Sequence, residues 1–267
     1  MNHRGPRAKK SYGQHFLNDE GIARSIVDNV RSFDPSLPLL EVGPGKGVLT
    51  KYLFSEKCKF KAIDADQDMF EYLHEAYPGI DDHLILGDFL KVNMDEIFPD
   101  EEFVLFGNFP YNISSQILIR MVQNRKRIPY MVGMFQKEVA ERVIAPSGSR
   151  VYGRISVMIQ SYYTGKVLFD VPPGKFDPPP KVNSAVIMLE RKKEQTLQCD
   201  EKFFRQVVSL GFSQRRKMLR NTLKSLVNDN EFLQQDVFTK RPEHLSVEEF
   251  IDLTNMITKH NNLSLIH

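Results

Sequence analysis

The pattern of hydrophobic and polar positions changes near Lys193. Before that point, short apolar runs alternate with amphipathic segments, which predicts βαβ units over a mostly parallel sheet. After it, apolar residues recur at helical spacing. The sequence therefore predicts a basic N-terminal segment over residues 1–18, an α/β domain over 19–193 and a small helical domain over 194–267.

Seven apolar runs are predicted to form strands, and the segments around them are predicted to form helices. The strands are predicted at residues 37–42, 59–63, 83–86, 103–107, 130–135, 166–169 and 184–189. Helices are predicted at 19–30, with Asn18 as the cap, and at 47–54, 66–76, 114–122, 137–144 and 155–163. Beyond residue 193 they are predicted at 201–211, 215–227, 231–238 and 247–259.

A glycine-rich turn, Glu-Val-Gly-Pro-Gly-Lys-Gly, follows the first predicted strand at residues 41–47. Glycines allow a backbone to approach a ligand closely. A nicotinamide dinucleotide favours GxGxxG spacing, whereas this turn has GxGxG with Pro44 inside it. That variant is a better match to S-adenosylmethionine, so Gly43 and Gly45 are candidate cofactor contacts. A turn of this kind is weak evidence for any one cofactor when taken alone.

Two carboxylates follow the next two predicted strands. Asp64 ends the second strand, where an acid can accept hydrogen bonds from ribose hydroxyls. Asp88 follows the third strand and can accept a hydrogen bond from an adenine amino group, with Phe89 against the ring. Each acid alone is more often a helix cap. Their placement with Gly43 and Asn108 at four consecutive strand ends favours a ligand site.

The segment Asn108-Phe109-Pro110-Tyr111 follows the fourth predicted strand. The side-chain carbonyl of Asn108 and the backbone carbonyl of Pro110 can both accept hydrogen bonds from one amino group, and Tyr111 offers a ring for stacking. A strand-ending turn is the alternative, because Asn and Pro are common turn residues. The neighbouring strand ends favour a clamp for a planar base.

The composition is that of an ordinary soluble protein. The chain has 267 residues, enough for one large domain or a large domain with a small one. No apolar run is long enough to span a bilayer and the N-terminus lacks an apolar signal segment, which predicts a cytoplasmic protein. Cys58 and Cys199 are far apart and lack metal-ligand spacing, so we expect neither a disulfide framework nor a metal site.

The net charge of +2 conceals two basic segments, residues 1–10 and 203–228, neither of which contains an acid. In the second segment Arg216, Arg220 and Lys224 have i, i+4, i+8 spacing and would form one stripe on a helix. Such a stripe suits a phosphate backbone, although a solvated helix face is the usual explanation of a charge run. The candidate nucleic-acid contacts are Arg4, Arg7, Lys9, Lys10, Arg215, Arg216, Arg220 and Lys224.

Four motifs occur in order along the chain: Gly-Gln-His-Phe-Leu at 13–17, the glycine turn at 41–47, residues 107–112 and Phe-Asp-Pro-Pro-Pro-Lys-Val-Asn-Ser-Ala-Val at 176–186. Together they resemble the small-subunit ribosomal RNA adenine dimethyltransferases, the kasugamycin-susceptibility family. The resemblance covers essentially the whole chain. It implies a Rossmann-like class I methyltransferase sheet with a C-terminal helical domain. It also implies S-adenosylmethionine-dependent N6,N6-dimethylation of two adjacent adenines in the 3′-terminal hairpin loop of 16S rRNA, late in subunit assembly.

The resemblance also implies roles for individual residues. The positions that match cofactor contacts in the family are His15, Leu17, Gly43, Asp64, Asp88 and Asn108. Asn108 and Pro110 would grip the target adenine, with Tyr111 and Phe176 stacking on it. Two positions depart from the usual pattern: His15 stands where Asn is usual, and Asp64 where Glu is common. His15 could contact the cofactor through its backbone alone, and a small backbone shift would let Asp64 reach the ribose.

Three other functions are compatible with parts of this pattern. The large-subunit rRNA adenine methyltransferases of macrolide resistance would share the cofactor core and the base clamp, but residues 176–186 and the helical tail favour the small-subunit enzyme. A non-catalytic RNA-binding assembly factor is disfavoured by the intact candidate site. A nicotinamide-dependent oxidoreductase is disfavoured by the GxGxG spacing. The resemblance implies a monomer whose partner is the assembling small ribosomal subunit.

Overall fold

The computed structural model describes residues 6, 8–9, 13–56, 58–214, 216–227 and 229–264. The predicted contacts Arg4, Arg7, Lys10 and Arg215 lie outside the described residues. The chain divides into two compact units, Met1–Ala140 with Thr164–Arg191 and Glu141–Tyr163 with Lys192–His267. The predicted domains were 19–193 and 194–267. The two units differ from them chiefly because residues 141–163 group with the C-terminal helices. One contact within that second unit is the edge-to-face packing of Tyr152 on Phe212, with ring centroids 6.1 Å apart.

Strands form a seven-stranded mixed sheet and a separate two-stranded sheet. In chain order they are β1 Phe16–Leu17, β2 Leu39–Val42, β3 Phe60–Asp64, β4 Leu84–Leu86, β5 Val104–Asn108, β6 Tyr130–Gln136, β7 Tyr163–Val171, β8 Phe176–Asp177 and β9 Ser184–Arg191. The large sheet has the order β4-β3-β2-β5-β6-β9-β7. Its first five strands are parallel, and β9 is antiparallel to β6. The predicted α/β fold class is confirmed.

Seven α-helices are described before residue 193, and the first is α1 at Glu20–Arg31. They continue with α2 Thr50–Ser55, α3 Gln67–Ala76, α4 Met94–Ile97, α5 Ser114–Gln123, α6 Lys137–Ile144 and α7 Arg154–Gln160. The predicted cap Asn18 is wrong by one residue. Asp19 is the N-cap, and its carboxylate accepts a hydrogen bond from the Ile22 N–H at 3.0 Å. The Asp19 carboxylate also forms an ion pair with Lys175, which the uncharged amide of Asn18 could not form.

The core of the first unit lies around the central parallel strands. All four residues of β2 are buried, as is usual for a strand covered on both faces. On α1 the buried residues are Ala23, Ile26, Val27 and Val30, which have the i, i+3, i+4, i+7 spacing of one helix face. They join one hydrophobic cluster with residues of β2, β5 and β6. This packing holds the strand ends that carry the candidate site.

The C-terminal helices are α8 Glu201–Gly211, α9 Leu219–Thr222, α10 Asp236–Thr239 and α11 Val247–Ser264. The predicted continuous helix over 215–227 is wrong, because Met218 is extended (φ −68°, ψ 153°) and the Leu219 N–H bonds to the Lys240 carbonyl at 2.9 Å. This path buries Leu219 and Leu223. Consequently Arg216, Arg220 and Lys224 do not form the predicted stripe on one helix.

The predicted helix over 231–238 is also interrupted. A 3₁₀ turn at Phe232–Gln234 precedes α10, and Gln235 between them is extended (φ −62°, ψ 149°). Leu233 and Phe238 are buried on either side of this break. Burial of apolar side chains in a small helical unit therefore overrides the local helical periodicity here.

Candidate active site

A cavity of about 460 Å³ lies at the carboxyl ends of the parallel strands. Parallel strands present their carboxyl ends at one edge, where ligands bind in open α/β sheets. All the predicted cofactor contacts line this cavity, together with three of the four predicted catalytic residues. The lining includes His15, Leu17, Gly43, Gly45, Asp64, Asp88, Phe89, Asn108, Pro110 and Tyr111.

The glycine turn after β2 forms one wall of the cavity. Gly43 and Gly45 have φ values of +72° and +54°, in the left-handed region that favours glycine. The Gly43 N–H donates to the Ile63 carbonyl at 2.9 Å, which ties the turn to β3. A Cβ at Gly43 would lie 3.5 Å from Cδ of Pro110. The turn and the Asn108–Tyr111 segment are therefore adjacent walls of one site.

Asp64 ends β3 with its carboxylate held by two backbone donors. The N–H groups of Asp66 and Gly45 lie 2.9 and 3.4 Å from its oxygens. Burial raises the pKa of Asp64 because desolvation disfavours the charged form, and the two hydrogen bonds partly oppose that effect. The carboxylate is thus fixed beside the glycine turn, where it can accept hydrogen bonds from a bound ribose.

Asp88 and Phe89 form the wall that follows β4. The Asp88 carboxylate accepts a hydrogen bond from the Leu90 N–H at 2.9 Å and lies 3.5 Å from Nζ of Lys91. The residue therefore orders its own loop, as the capping alternative predicted, and also lines the cavity. Phe89 is buried and offers an apolar surface to a flat ligand.

Residues 13–18, which we term the N-terminal strap, also line the cavity. Gln14 Nε2 donates to the buried Asp66 carboxylate at 3.0 Å. Lys9 Nζ lies 2.6 Å from Asp66 and 2.8 Å from Asp68. Lys9 secures the chain just before the strap to α3 and its cap, and its predicted contact with RNA stays a prediction.

The amide of Asn108 is oriented by the strap. Its Nδ2 donates to the backbone carbonyl of His15 at 2.8 Å. A carbonyl oxygen can only accept, so the amide nitrogen must face His15 and the amide oxygen must face away from it. The Pro110 carbonyl accepts a hydrogen bond from the Ile113 N–H at 3.2 Å, which fixes its direction and leaves a second lone pair. These two oxygens are suited to accepting hydrogen bonds from one amino group.

Phe176 does not lie in the described wall of the cavity. It begins β8, pairs opposite Leu17 of β1 and is only 4% exposed. Its ring belongs to the hydrophobic cluster that includes Leu17 and Ile26. In this arrangement the ring packs into the core through the pairing of β1 with β8, and stacking of Phe176 on the target base stays a prediction. Phe176 supports the strap.

Glu41 is a site residue that the sequence reasoning missed. It lines the cavity, is only 1% exposed and accepts a hydrogen bond from the Thr50 hydroxyl at 2.7 Å. Burial raises the pKa of Glu41 to about 8. The signal that could have found it is a lone acid at the end of an otherwise apolar strand.

The raised pKa of Glu41 predicts a pH-dependent stability. Its folded-state pKa of about 8 exceeds the ordinary value of 4.5, so the folded state binds more protons between these values. Stability should therefore fall as pH rises through this range, by at most about 1.4 kcal/mol per pH unit. Glu41→Gln removes this titration while keeping an acceptor for Thr50. Thermal unfolding between pH 5.5 and 8 should show a steeper decline in Tm for the parent protein. Parallel Tm profiles would contradict the assignment.

Two further properties concern membranes and metals. In the described part of the chain, no helix has both the length and the apolar character needed to cross a bilayer. Across the same residues, no group of three or more His, Cys, Asp or Glu side chains is arranged to hold a metal ion.

A family model described as Ribosomal RNA adenine dimethylase matches residues 5–259. The chain is 51% identical over 252 residues to Ribosomal RNA small subunit methyltransferase A of Bacteroides thetaiotaomicron, which covers 94% of each chain. It is 49% identical over 253 residues to the protein of the same name from Cytophaga hutchinsonii, covering 94% of this chain and 98% of that one.

Solved structures give a consistent result. A dimethyladenosine transferase from Plasmodium falciparum aligns with a TM-score of 0.75 and 26% identity, covering 92% of this chain and 98% of the other. The 23S rRNA methyltransferase ErmE aligns with a TM-score of 0.66 and 23% identity, covering 91% and 99%. At that identity, the likeness to ErmE concerns the fold alone.

Proposed function

Because the chain belongs to the ribosomal RNA adenine dimethylase family, we propose that it transfers methyl groups from S-adenosylmethionine to N6 of two adjacent adenines in small-subunit rRNA. The adenines lie in the 3′-terminal hairpin loop, and the reaction occurs late in subunit assembly. One observation carries this proposal: the Asn108 amide and Pro110 line the same cavity as the glycine turn and Asp64. Methyl donor and acceptor base can therefore meet within one site.

The residues of the cavity fit the cofactor. Its volume of about 460 Å³ lies within the range of about 300–1,000 Å³ that is usual for small-molecule sites. Asp64 would accept hydrogen bonds from the ribose hydroxyls and Asp88 from the adenine amine, with Phe89 against the adenine ring. The backbone at Gly43 and Gly45 allows close approach. When bound, the cofactor supplies an electrophilic methyl group on a sulfonium.

The clamp must change the shape of the adenine amine, because the nitrogen lone pair is delocalised into the ring. Hydrogen bonds from the two N–H groups to the Asn108 amide oxygen and the Pro110 carbonyl favour a more tetrahedral nitrogen. The lone pair is then directed toward the cofactor side of the cavity. Alignment of this kind can supply about 7 to 11 kcal/mol of a reaction barrier. The ammonium that forms is acidic and loses its proton to water.

The target base has to leave its stack before it can enter the clamp. This costs less in a hairpin loop than in a duplex. Stacking on Tyr111 offsets the cost, since a contact between a base and an aromatic side chain is worth about 1 to 3 kcal/mol. The partly buried Tyr111 ring lines the cavity beside Asn108.

The proposed substrate is the small subunit rather than the large one, because the relatives at about half identity are named for the small subunit. The test is incubation of the protein and methyl-labelled S-adenosylmethionine with undermethylated small and large subunit precursors. We expect label in the small-subunit RNA only. Label in the large-subunit RNA would support the macrolide-resistance type of activity. Cofactor binding without methyl transfer would support a non-catalytic assembly factor.

We propose that the basic residues of 203–228 bind RNA phosphates even though they do not form one helical stripe. Arg216 and Lys224 are exposed, and the segment contains no acid. The double variant Arg216→Gln with Lys224→Gln should weaken RNA binding. It should also lower the slope of log affinity against log salt by about 0.7 to 0.9 for each phosphate that the variant no longer neutralises.

The matched control for that pair is Lys202→Gln, an exposed lysine of α8 that lies outside the acid-free segment. Its RNA affinity and salt slope should equal those of the parent protein in the same filter-binding titrations. Equal slopes for the double variant and the parent would instead mean that the segment is a solvated surface.

The proposal includes the assembling small subunit as partner, a monomer as the active form and the cytoplasm as the location. The proposed substrate supports the partner and the location, and the monomer is supported by a described cavity that one chain forms. Light scattering of the protein with S-adenosylmethionine and without RNA should give the mass of one chain, 30.9 kDa, and twice that mass would contradict the monomer.

A further inference from the structure

His15 of the N-terminal strap makes two contacts with the base clamp and one with the loop that precedes β9. Its backbone carbonyl accepts the hydrogen bond from Asn108 Nδ2 at 2.8 Å. Its ring nitrogen Nδ1 lies 2.7 Å from the carbonyl oxygen of Pro178. Its ring lies against that of Tyr111, with centroids 5.3 Å apart and planes tilted by 31°. One residue therefore contacts both halves of the clamp and the loop that precedes β9.

The contact with Pro178 fixes the orientation of the imidazole ring. The carbonyl oxygen can only accept, so Nδ1 carries a proton and donates it. A ring held in this way cannot rotate freely about its χ angles. It therefore presents a fixed surface to the Tyr111 ring.

Tyr111 is also held at its hydroxyl end. Its hydroxyl group hydrogen-bonds to the hydroxyl of Ser184. Ser184 is 0% exposed and pairs opposite Gln136 of β6, so it belongs to the rigid sheet. Burial raises the pKa of Tyr111 because desolvation disfavours the phenolate. The ring is thus fixed from two directions.

We propose that His15 and Ser184 are positioning residues that hold Tyr111 as a rigid wall, and that this rigidity is needed mainly for the second methyl transfer. The inference rests on the proposed function and concerns a step within it. In each transfer the N6–C bond forms while the C–S bond breaks. The electron pair of the C–S bond stays on sulfur, and one proton leaves N6 for water.

The two transfers place different demands on the clamp. An unmethylated amine has two N–H groups, one for the Asn108 amide oxygen and one for the Pro110 carbonyl. After the first transfer only one N–H remains, so one of the two hydrogen bonds can no longer form. The orientation of the monomethylated base then depends more on stacking against Tyr111. A loosened ring should therefore slow the second transfer more than the first.

The test uses three variants of the full chain: His15→Ala, Ser184→Ala and Tyr111→Phe. His15→Ala removes the ring but keeps the backbone carbonyl that orients Asn108. Tyr111→Phe and Ser184→Ala remove the same hydrogen bond from opposite ends. The readout is the amount of N6-monomethyl- and N6,N6-dimethyladenosine over time, measured by mass spectrometry with undermethylated small subunits as substrate.

Each variant should accumulate monomethyladenosine, with the second rate lowered about tenfold more than the first, a change that corresponds to about 1.4 kcal/mol of weaker stacking. The affinity of Tyr111→Phe and Ser184→Ala for S-adenosylhomocysteine should stay within about twofold of that of the parent protein, a difference of about 0.4 kcal/mol, because neither substitution removes a predicted cofactor contact. The matched control is His74→Ala, on α3 outside the cavity lining, where product ratios should not change.

Unchanged product ratios in His15→Ala and Tyr111→Phe would overturn the inference. A loss of cofactor affinity without a change in product ratio would also overturn it, because His15 would then act only on the cofactor. If Ser184→Ala does not fold, the other two variants still decide the question. Failure of the proposed function looks different, since the parent protein would then form neither methylated nucleoside.

Discussion

Asn108→Ala should lower the single-turnover rate of methyl transfer by at least about 100-fold, the effect expected when reacting groups are misplaced by about 1 Å. The variant loses the amide oxygen that accepts a hydrogen bond from the adenine amine. It also loses the Nδ2 donor that ties β5 to the strap at His15. The fold should be retained because Asn108 is only partly buried at the end of its strand.

The matched control for this substitution is Asn255→Ala. Asn255 also donates its side-chain amide to a backbone carbonyl, that of Gln198, at 2.8 Å, but it is exposed on α11. Its turnover should equal that of the parent protein in the same single-turnover assay. If Asn108→Ala has the Tm of the parent protein and turns over at a near-normal rate, Asn108 has no part in the proposed mechanism.

Asp64→Ala should weaken binding of S-adenosylhomocysteine by about 10- to 100-fold, because hydrogen bonds to charged groups contribute about 1.5 to 3 kcal/mol. Calorimetric titration at neutral pH measures this change directly. Burial raises the pKa of Asp64, so the parent protein should also lose affinity as pH falls and the carboxylate becomes protonated. The variant should lack that part of the pH dependence.

Asp82→Ala is the control for the cofactor experiment. Asp82 is an exposed acid in the 3₁₀ turn Asp81–His83, and it lies outside the described cavity lining. Its affinity for S-adenosylhomocysteine should not change. Equal affinities for Asp64→Ala and the parent protein would mean that Asp64 acts only as a support for the glycine turn.

The sequence predicted the α/β sheet and the position of the cavity because both depend on strong local patterns. Each of the seven predicted strands overlaps a strand of the large sheet. Gly43, Asp64, Asp88 and Asn108 line one cavity because they follow or end parallel strands, and this placement follows from topology alone. The position of the site can therefore be predicted even when the limits of each strand are known only approximately.

Other features depend on contacts between distant residues and were not predicted. The strands β1 and β8 have two residues each, too few for a periodic pattern, yet their pairing buries Phe176 away from the cavity. The break at Met218 follows from the bond between Leu219 and Lys240, which are far apart in sequence. The ion pairs of Lys9 likewise join the first residues to α3. Such long-range partners override local propensity.

The most direct test of the central claim is to map methylated adenines in small-subunit rRNA after incubation with the protein and S-adenosylmethionine. Nucleoside mass spectrometry and primer extension should find N6,N6-dimethyladenosine at two adjacent positions of the 3′-terminal hairpin loop with the parent protein. With Asn108→Ala the same positions should remain unmodified. Methylation at another site, methylation confined to large-subunit RNA, or full dimethylation by Asn108→Ala would contradict the account.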